Sequence, residues 1–345
     1  MAESLNIASK GKVLTFGELL LRISPDEGGE WLKDNEFPFY IAGAELNAAT
    51  ALALWGVPTK YVTALPDNGM CRQIVQFEEQ QNIEMSVQYR GNRLGLYFLT
   101  KGRDLKNDAL IYDRAHSAFS ELKPGMIDWD KEFEGVSWFH FSAICPAISH
   151  NIADVCEEAL RVASKKNIVI SIDLNYRSKL WKYGKEPHEI MPGLVKYCDL
   201  IMGNVWAIDA MLGIPVMPDI HESGQRSIYL KEALKTSEAI VKQYPKCKSV
   251  ANTFRFDGKG EVDYYATLYT GGEFYDSNEY SASHIINKVG SGDCFMAGLI
   301  YGFYNDLEPE QTLEFATAAA FEKLFIESDV TNKSVHEIMT RANES

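Results

Sequence analysis

The stretch Ile168-Val169-Ile170-Ser171-Ile172-Asp173-Leu174-Asn175-Tyr176-Arg177 is a short apolar run that ends in polar and charged side chains. A run apolar on both of its faces is what a strand covered by helices on each side needs. A helical pattern from about Asn151 to Lys165 precedes it, and before that helix stands a strand-like segment, Trp138-Phe139-His140-Phe141-Ser142. Downstream, a helix is read from Glu189 to Tyr197 and further strands at Leu200-Ile201-Met202 and from Ser249 to Thr253. Strands alternating with helices in this way lie parallel, with helices on both faces, so the body is read as a doubly wound α/β structure. Ligands bind at the carboxyl ends of such strands, which makes Arg177 a candidate ligand contact.

Two earlier regions do not fit this rhythm. Val13-Leu14-Thr15-Phe16-Gly17-Glu18 begins as a buried strand that Leu19 to Ser24 continues, followed by a polar excursion over 26–30 and the aromatic Phe37-Pro38-Phe39-Tyr40. Leu94 to Thr100 and Ala109 to Arg114, around a polar turn at 102–108, read as a hairpin. Residues 19–39 and 94–114 are therefore expected to be two insertions that together form a small β-sheet lid over a body spanning 13–330. Residues 1–12 are expected to be a polar N-terminal tail.

The totals narrow the function. The chain has 345 residues, 46% hydrophobic and 24% charged, enough for one large α/β domain with an appendage or for two domains. A net charge of −14 argues against nucleic acid or an anionic membrane as the main partner. An anionic small substrate would need local arginines. The six cysteines contain no CxxC pair, so neither a zinc knuckle nor a disulfide framework is suggested, and reduced thiols are the simple reading. With no signal-like segment at the start and no long apolar run, a cytoplasmic protein is expected. The seven histidines form no HxxxH pair, and Glu78-Glu79-Gln80-Gln81 reads as a solvated helix face.

Near the end of the chain, Val289-Gly290-Ser291-Gly292-Asp293-Cys294-Phe295 joins a glycine turn to an acid and an apolar helix. Glycines let successive amides face one cavity, and free amides at a helix start bind anions. A carboxylate beside a bound phosphate is repelled unless it has a task, and the task that fits Asp293 is taking a proton from an attacking hydroxyl.

This turn, read together with Ala42-Gly43-Ala44-Glu45-Leu46-Asn47-Ala48-Ala49 about 240 residues earlier, resembles the two signatures of the ribokinase-like (PfkB) carbohydrate kinases, in the right order. Within that family the likeness is to kinases of 2-keto-3-deoxygluconate. It is carried by Thr15-Phe16-Gly17-Glu18, Gly91 to Phe98, Tyr112 to Ala118, Trp138 to Ser142 and Asp173 to Arg177. The resemblance implies a three-layer α/β/α sandwich with a β lid, and transfer of phosphate from ATP, with Mg2+, to the terminal hydroxyl of a sugar acid. It implies Asp293 as base and Gly290, Ser291 and Gly292 as anion hole. Gly43, Asn47, Tyr97, Tyr112, Arg114, Ile144, Asn175 and Arg177 match positions lining the sugar pocket, and Asp329 a further substrate-side acid. Asn204, Thr253 and Arg255 fall on the nucleotide side. Pairing of lids between subunits implies a homodimer.

Local readings stand beside these. Arg114 follows Asp113 and could form a surface ion pair with it, and Asn47 could be a helix cap. Planar guanidiniums bind a carboxylate in two-pronged fashion, which is what a sugar acid offers. The chain departs from the family pattern at three places: Asn287 where aspartate is usual, Ala207 where Asn204-Val205-Trp206-Ala207 usually carries a magnesium-organising glutamate, and Ala42 for a glycine. No metal site built mainly from protein is therefore expected. The alternatives are a kinase of a neutral sugar such as fructose or ribose, or a weakened homologue that binds without turnover.

Overall fold

The computed structural model describes residues 5, 10–25, 31, 36–99, 110–222, 224–258 and 261–344. The excursion read at 26–30, the turn read at 102–108 and most of the N-terminal tail lie outside them. The chain opens with β1 (Lys12–Phe16), β2 (Leu20–Ile23), β3 (Phe39–Ala42) and helix α1 (Ala44–Leu54). Next come β4 (Thr59–Leu65), α2 (Gly69–Gln80), β5 (Ile83–Tyr89), β6 (Gly95–Phe98) and β7 (Ile111–Asp113). The middle is α3 (Trp129–Glu132), β8 (Val136–Ser142), α4 (Ile144–Ile148), α5 (His150–Lys165), β9 (Val169–Asp173), α6 (Pro187–Val195), β10 (Leu200–Met202), α7 (Val205–Leu212) and α8 (Arg226–Gln243). The last third holds β11 (Ser249–Asp257), β12 (Val262–Thr270), β13 (Glu273–Asp276), β14 (Tyr280–Ala282), α9 (Ser291–Tyr304), α10 (Pro309–Lys323) and α11 (Val335–Asn343).

Among the described residues ten strands form one sheet in the order β13-β12-β11-β10-β9-β8-β1-β4-β5, with β14 beside β12. From β11 to β5 every pairing is parallel, and β12, β13 and β14 close one side antiparallel. Side chains alternate between two cores, as the strand period requires. Phe139, Phe141, Ile170 and Ile172 face the layer of α5, α6 and α7, whereas Trp138 and Val169 face α1, α9 and α10. This is the expected doubly wound, three-layer sandwich. In its middle, Ser171 Oγ accepts from Trp138 Nε1 at 2.8 Å and meets His140 Nδ1 at 3.0 Å. Burial pushes His140 down to about 3, so its ring is neutral and structural.

Four strands among the described residues make a second, small sheet in the order β3-β2-β6-β7. Leu19 to Ser24 does not continue β1, as the sequence reading has it. The Glu45 carboxyl fills the space where a Cβ on Gly17 would stand, and the chain leaves the main sheet there. The first segment of the small sheet also runs on to Ala42, beyond the boundary drawn at 39. Glu78 corrects another expectation: it is buried, and burial raises its carboxyl to about 7, while Glu79, Gln80 and Gln81 are exposed.

Register gives the small sheet two distinct faces. Tyr40, Arg22, Tyr97 and Tyr112 lie side by side across its four strands, and the next row, on the opposite face, is Phe39, Ile23, Phe98 and Ile111. The first row points towards the main body, where Tyr97 and Tyr112 reach the cavity described below.

Candidate active site

A cavity of about 330 Å3 opens between the small sheet and the carboxyl ends of β9, β10 and β11. The residues read from the sequence converge there: Gly43, Asn47, Tyr97, Tyr112, Arg114, Ile144, Asn175, Arg177, Asn204, Thr253, Arg255, Gly290, Ser291, Gly292 and Asp293 all line it. Asp329 does not. Its carboxylate is buried beneath the wall, where it accepts from Arg22 Nε at 2.7 Å and Tyr97 Oη at 2.8 Å. Its placement beside the substrate is therefore corrected: it ties the small sheet to the body through two lid side chains.

The turn before α9 is built as the glycines require. Gly290 has φ of 80°, and the main-chain oxygen of Asp329 occupies the position a Cβ would take, so only glycine fits. Ser291, Gly292 and Asp293 then form the first turn of α9, whose leading amides have no acceptor within the helix. Ser291 Oγ donates to Ala320 O at 2.9 Å, fastening the turn to α10.

Asp293 is held from the opposite side of the cavity. Asn47, on α1, donates its Nδ2 to Asp293 Oδ2 at 2.7 Å. Asn47 is thus no helix cap, since the cap of α1 is Gly43. Its Oδ1 is buried with no hydrogen-bond partner among the described residues and is left as an acceptor at the cavity wall. Gly43 packs close to Glu18, with a Cβ placed only 2.6 Å from the Glu18 carbonyl oxygen. Burial pushes the Asp293 carboxyl up to about 7; Asp173 and Glu45 add to the rise, against the Asn47 hydrogen bond and the charge of Arg177. Asp173, at the end of β9, is likewise raised to about 7 by burial, opposed first by Arg177.

The two arginines differ. Arg114 is buried and gives its Nε to Glu18 Oε2 at 2.6 Å, and Ser117 Oγ satisfies the other carboxylate oxygen. Its partner is therefore Glu18 and not Asp113, which pairs with Arg93. Arg177 is partly exposed, its guanidinium bonded to Tyr176 O at 3.3 Å, and no carboxylate among the described residues pairs with it. It is a positive group facing the cavity with charge to give.

On the far side, Asn204 caps α7, its Oδ1 accepting from Ala207 N at 2.8 Å. Thr253 and Arg255 lie on β11, and Lys288 pairs with Asp257 at 2.8 Å. Cavity residues that sequence reasoning did not assign include Glu18, Glu45, Asp173, Trp206 and Lys288. The first three stand inside the quoted motifs, where an acid next to an assigned residue was the available signal. Among the described residues no group of three or more His, Cys, Asp or Glu side chains is placed to hold a metal, and no helix is long and apolar enough to cross a membrane.

The family model for pfkB family carbohydrate kinases matches residues 10–328. The chain belongs to this family. Among its relatives, the 2-dehydro-3-deoxygalactonokinase of Haloferax volcanii is 24% identical over 331 residues, covering 92% of each chain. The solved structure of 2-dehydro-3-deoxygluconokinase from Thermotoga maritima is 34% identical with a TM-score of 0.87, covering 96% of this chain and 99% of that one. A putative ribokinase II of E. coli in complex with ATP and Mg2+ shares the fold, with a TM-score of 0.78 at 18% identity over 97% and 100% of the two chains. The protein is accordingly a PfkB-type sugar kinase, an enzyme of a family that acts on small sugars and ATP.

Proposed function

We propose that this kinase phosphorylates a sugar acid, 2-keto-3-deoxygluconate, at its terminal hydroxyl, with ATP as donor. The observation that carries this reading is Arg177, a guanidinium lining the cavity with no carboxylate among the described residues within ion-pair distance of it. A buried pocket that keeps such a charge selects an anion. Arg114, already paired with Glu18, contributes shape and a hydrogen-bonding surface more than net charge. The names of the Haloferax and Thermotoga relatives, both kinases of 2-dehydro-3-deoxy sugar acids, support the same class.

In this mechanism Arg177 holds the carboxylate, Asn175 and the Asn47 Oδ1 face the sugar hydroxyls, and Tyr97 and Tyr112 cover it from the small sheet acting as a lid. Asn47 orients Asp293, whose carboxylate takes the proton of the terminal hydroxyl as that oxygen attacks the γ-phosphorus. The amides of Gly290, Ser291 and Gly292 receive the charge that develops. Asn204, Thr253 and Arg255 face the nucleotide. A magnesium cage built by the protein does not fit this side, because Ala207 offers only a methyl group and Asn204 Oδ1 is occupied by capping. Magnesium would enter with the nucleotide. The small sheet is also the proposed contact between subunits of a homodimer.

A coupled ADP-release assay over the gluconate and galactonate epimers of the sugar acid, fructose and ribose tests the substrate. Wild type should prefer a sugar acid, and Arg177→Ala should lose on the order of 10- to 100-fold in kcat/KM for it, the worth of a charge-assisted hydrogen bond. The KM for ATP should barely move. A wild-type preference for fructose, or equal loss on sugar acid and fructose, would put a neutral-sugar kinase in its place.

A further inference from the structure

Lys323, the last residue of α10, is completely buried, yet no carboxylate among the described residues lies within ion-pair distance of it. Its Nζ donates to the main-chain oxygen of Ile326 at 3.1 Å. Its Cε lies 3.3 Å from where a Cβ on Gly290 would stand, which puts the ammonium directly under the anion-binding turn. The loop it reaches runs beneath that turn and is gripped by further donors. Asn287 Nδ2 donates to Glu327 O at 2.7 Å and Arg22 to the same oxygen at 3.3 Å, while Asn287 Oδ1 accepts from Val289 N at 3.0 Å.

An ammonium taken out of water with one carbonyl partner is costly, and the carboxyl end of α10 offsets only part of the cost. A function that needs positive potential at this spot accounts for a lysine there. The field of Lys323 has the same sign as that of the first turn of α9, where charge develops during phosphoryl transfer.

We infer that Lys323 is a positioning residue for this transfer: its ammonium holds the 326–329 loop under Gly290 and keeps the anion-binding turn positive. Asn287 is its companion. An aspartate at that place could accept from Val289 N but could not donate to Glu327 O, and its charge would oppose the turn's purpose. The departure at Asn287 is therefore part of a support built from donors. The inference rests on the reading of Asp293 and the glycine turn given above.

The charged and titratable groups facing Lys323 are Asp329, Cys294, Arg22 and Asp293. Burial pulls the ammonium down to about 8, with Asp329, Cys294 and Asp293 resisting and Arg22 adding to the fall. Burial pushes the Cys294 thiol up to about 12, so it stays neutral, and Asp329 is tied to Arg22 and Tyr97. The cation is thus present below about pH 8 and lost above it.

The test compares wild type with Lys323→Met, a side chain of similar length without the charge. At pH 7 kcat should fall by about tenfold or more, less than the loss of a direct oxyanion donor brings, with KM for the sugar acid within about twofold and thermal midpoint no lower than wild type. The alkaline fall of wild-type kcat near pH 8 should disappear in the variant. An unchanged kcat, or an alkaline limb that persists in Lys323→Met, overturns the inference. Should the variant not fold, wild type alone decides: a kcat flat from pH 7 to 9.5, with a constant thermal midpoint, overturns it equally. Asp293→Asn separates the two readings. If it stays active the underlying mechanism is wrong, and if it is inactive while Lys323→Met is not, only the role of Lys323 falls.

Discussion

At the scale of single residues, Asp293 faces two opposed demands. As the proposed base it must be ionised to take a proton, and burial opposes that ionisation, lifting it to about 7. As pH falls through 7 the base becomes protonated, so kcat/KM should drop on the acid side near that value, with no fall in thermal midpoint to match. Asp293→Asn should keep sugar binding and lose about 100-fold or more in turnover; a variant retaining half the wild-type rate would remove Asp293 from the mechanism. Stability runs the other way. A carboxyl raised in the folded state costs stability once it ionises there, so Asp293→Asn should melt higher than wild type above pH 7, and the gap should close as pH falls towards about 4, the ordinary value for Asp. Scanning calorimetry across that range measures it. Much of this site was legible because Asp293 and its glycines are consecutive in the chain. The partners were not: Asn47 meets Asp293 across 246 positions, and Glu18 meets Arg114 across 96. Local sequence offered Asp113 for Arg114, and the fold chose Glu18, from the connection between β1 and β2.

Among elements, the strands β8, β9 and β10 were legible because each is a short apolar run bounded by polar residues. Strand β4 was not, although all of Thr59-Lys60-Tyr61-Val62-Thr63-Ala64-Leu65 is buried. Its polar members find partners only in the fold: Lys60 Nζ pairs with Glu132 at 2.8 Å, and Tyr61 Oη donates to Gly17 O at 2.9 Å. The small sheet was legible as a hairpin misplaced in an α/β rhythm, but not its attachment. That attachment is Arg22 on β2, whose guanidinium stacks 4.0 Å from the Tyr40 ring and pairs with Asp329 at 2.7 Å, both charges buried. Arg22→Met would strand a buried carboxylate, at a cost of about 3–5 kcal/mol. It should also free the sheet over the cavity. The expected outcome is a lower thermal midpoint together with a raised KM for the sugar acid and a smaller change in KM for ATP. A variant as stable as wild type would mean that Asp329 finds another donor.

For the whole molecule, the outer row of the small sheet raises a question that one chain does not answer. Phe39 is 59% exposed and Ile111 55%, at opposite ends of a row that also holds Ile23 and Phe98. Among the described residues β3 and β7 are the two edges of the sheet, and edge strands offer backbone groups for pairing. Apolar side chains and open edges on one small element are the properties of a surface that a second copy covers. The net charge of −14 per chain opposes such association, and salt screens that repulsion beyond about 8 Å at physiological strength. Dimerisation driven by this apolar row should therefore tighten, not weaken, as salt rises. Sedimentation velocity should find wild type at twice the 38.8 kDa of the chain, and Phe39→Glu with Ile111→Glu at the monomer mass. Because the opposite face of the same sheet carries Tyr97 and Tyr112 over the cavity, the monomeric variant should bind the sugar acid more weakly while its kcat at saturation changes little. A monomeric wild type, or a double variant that remains dimeric, would take the sheet out of the interface and leave its apolar row without a partner.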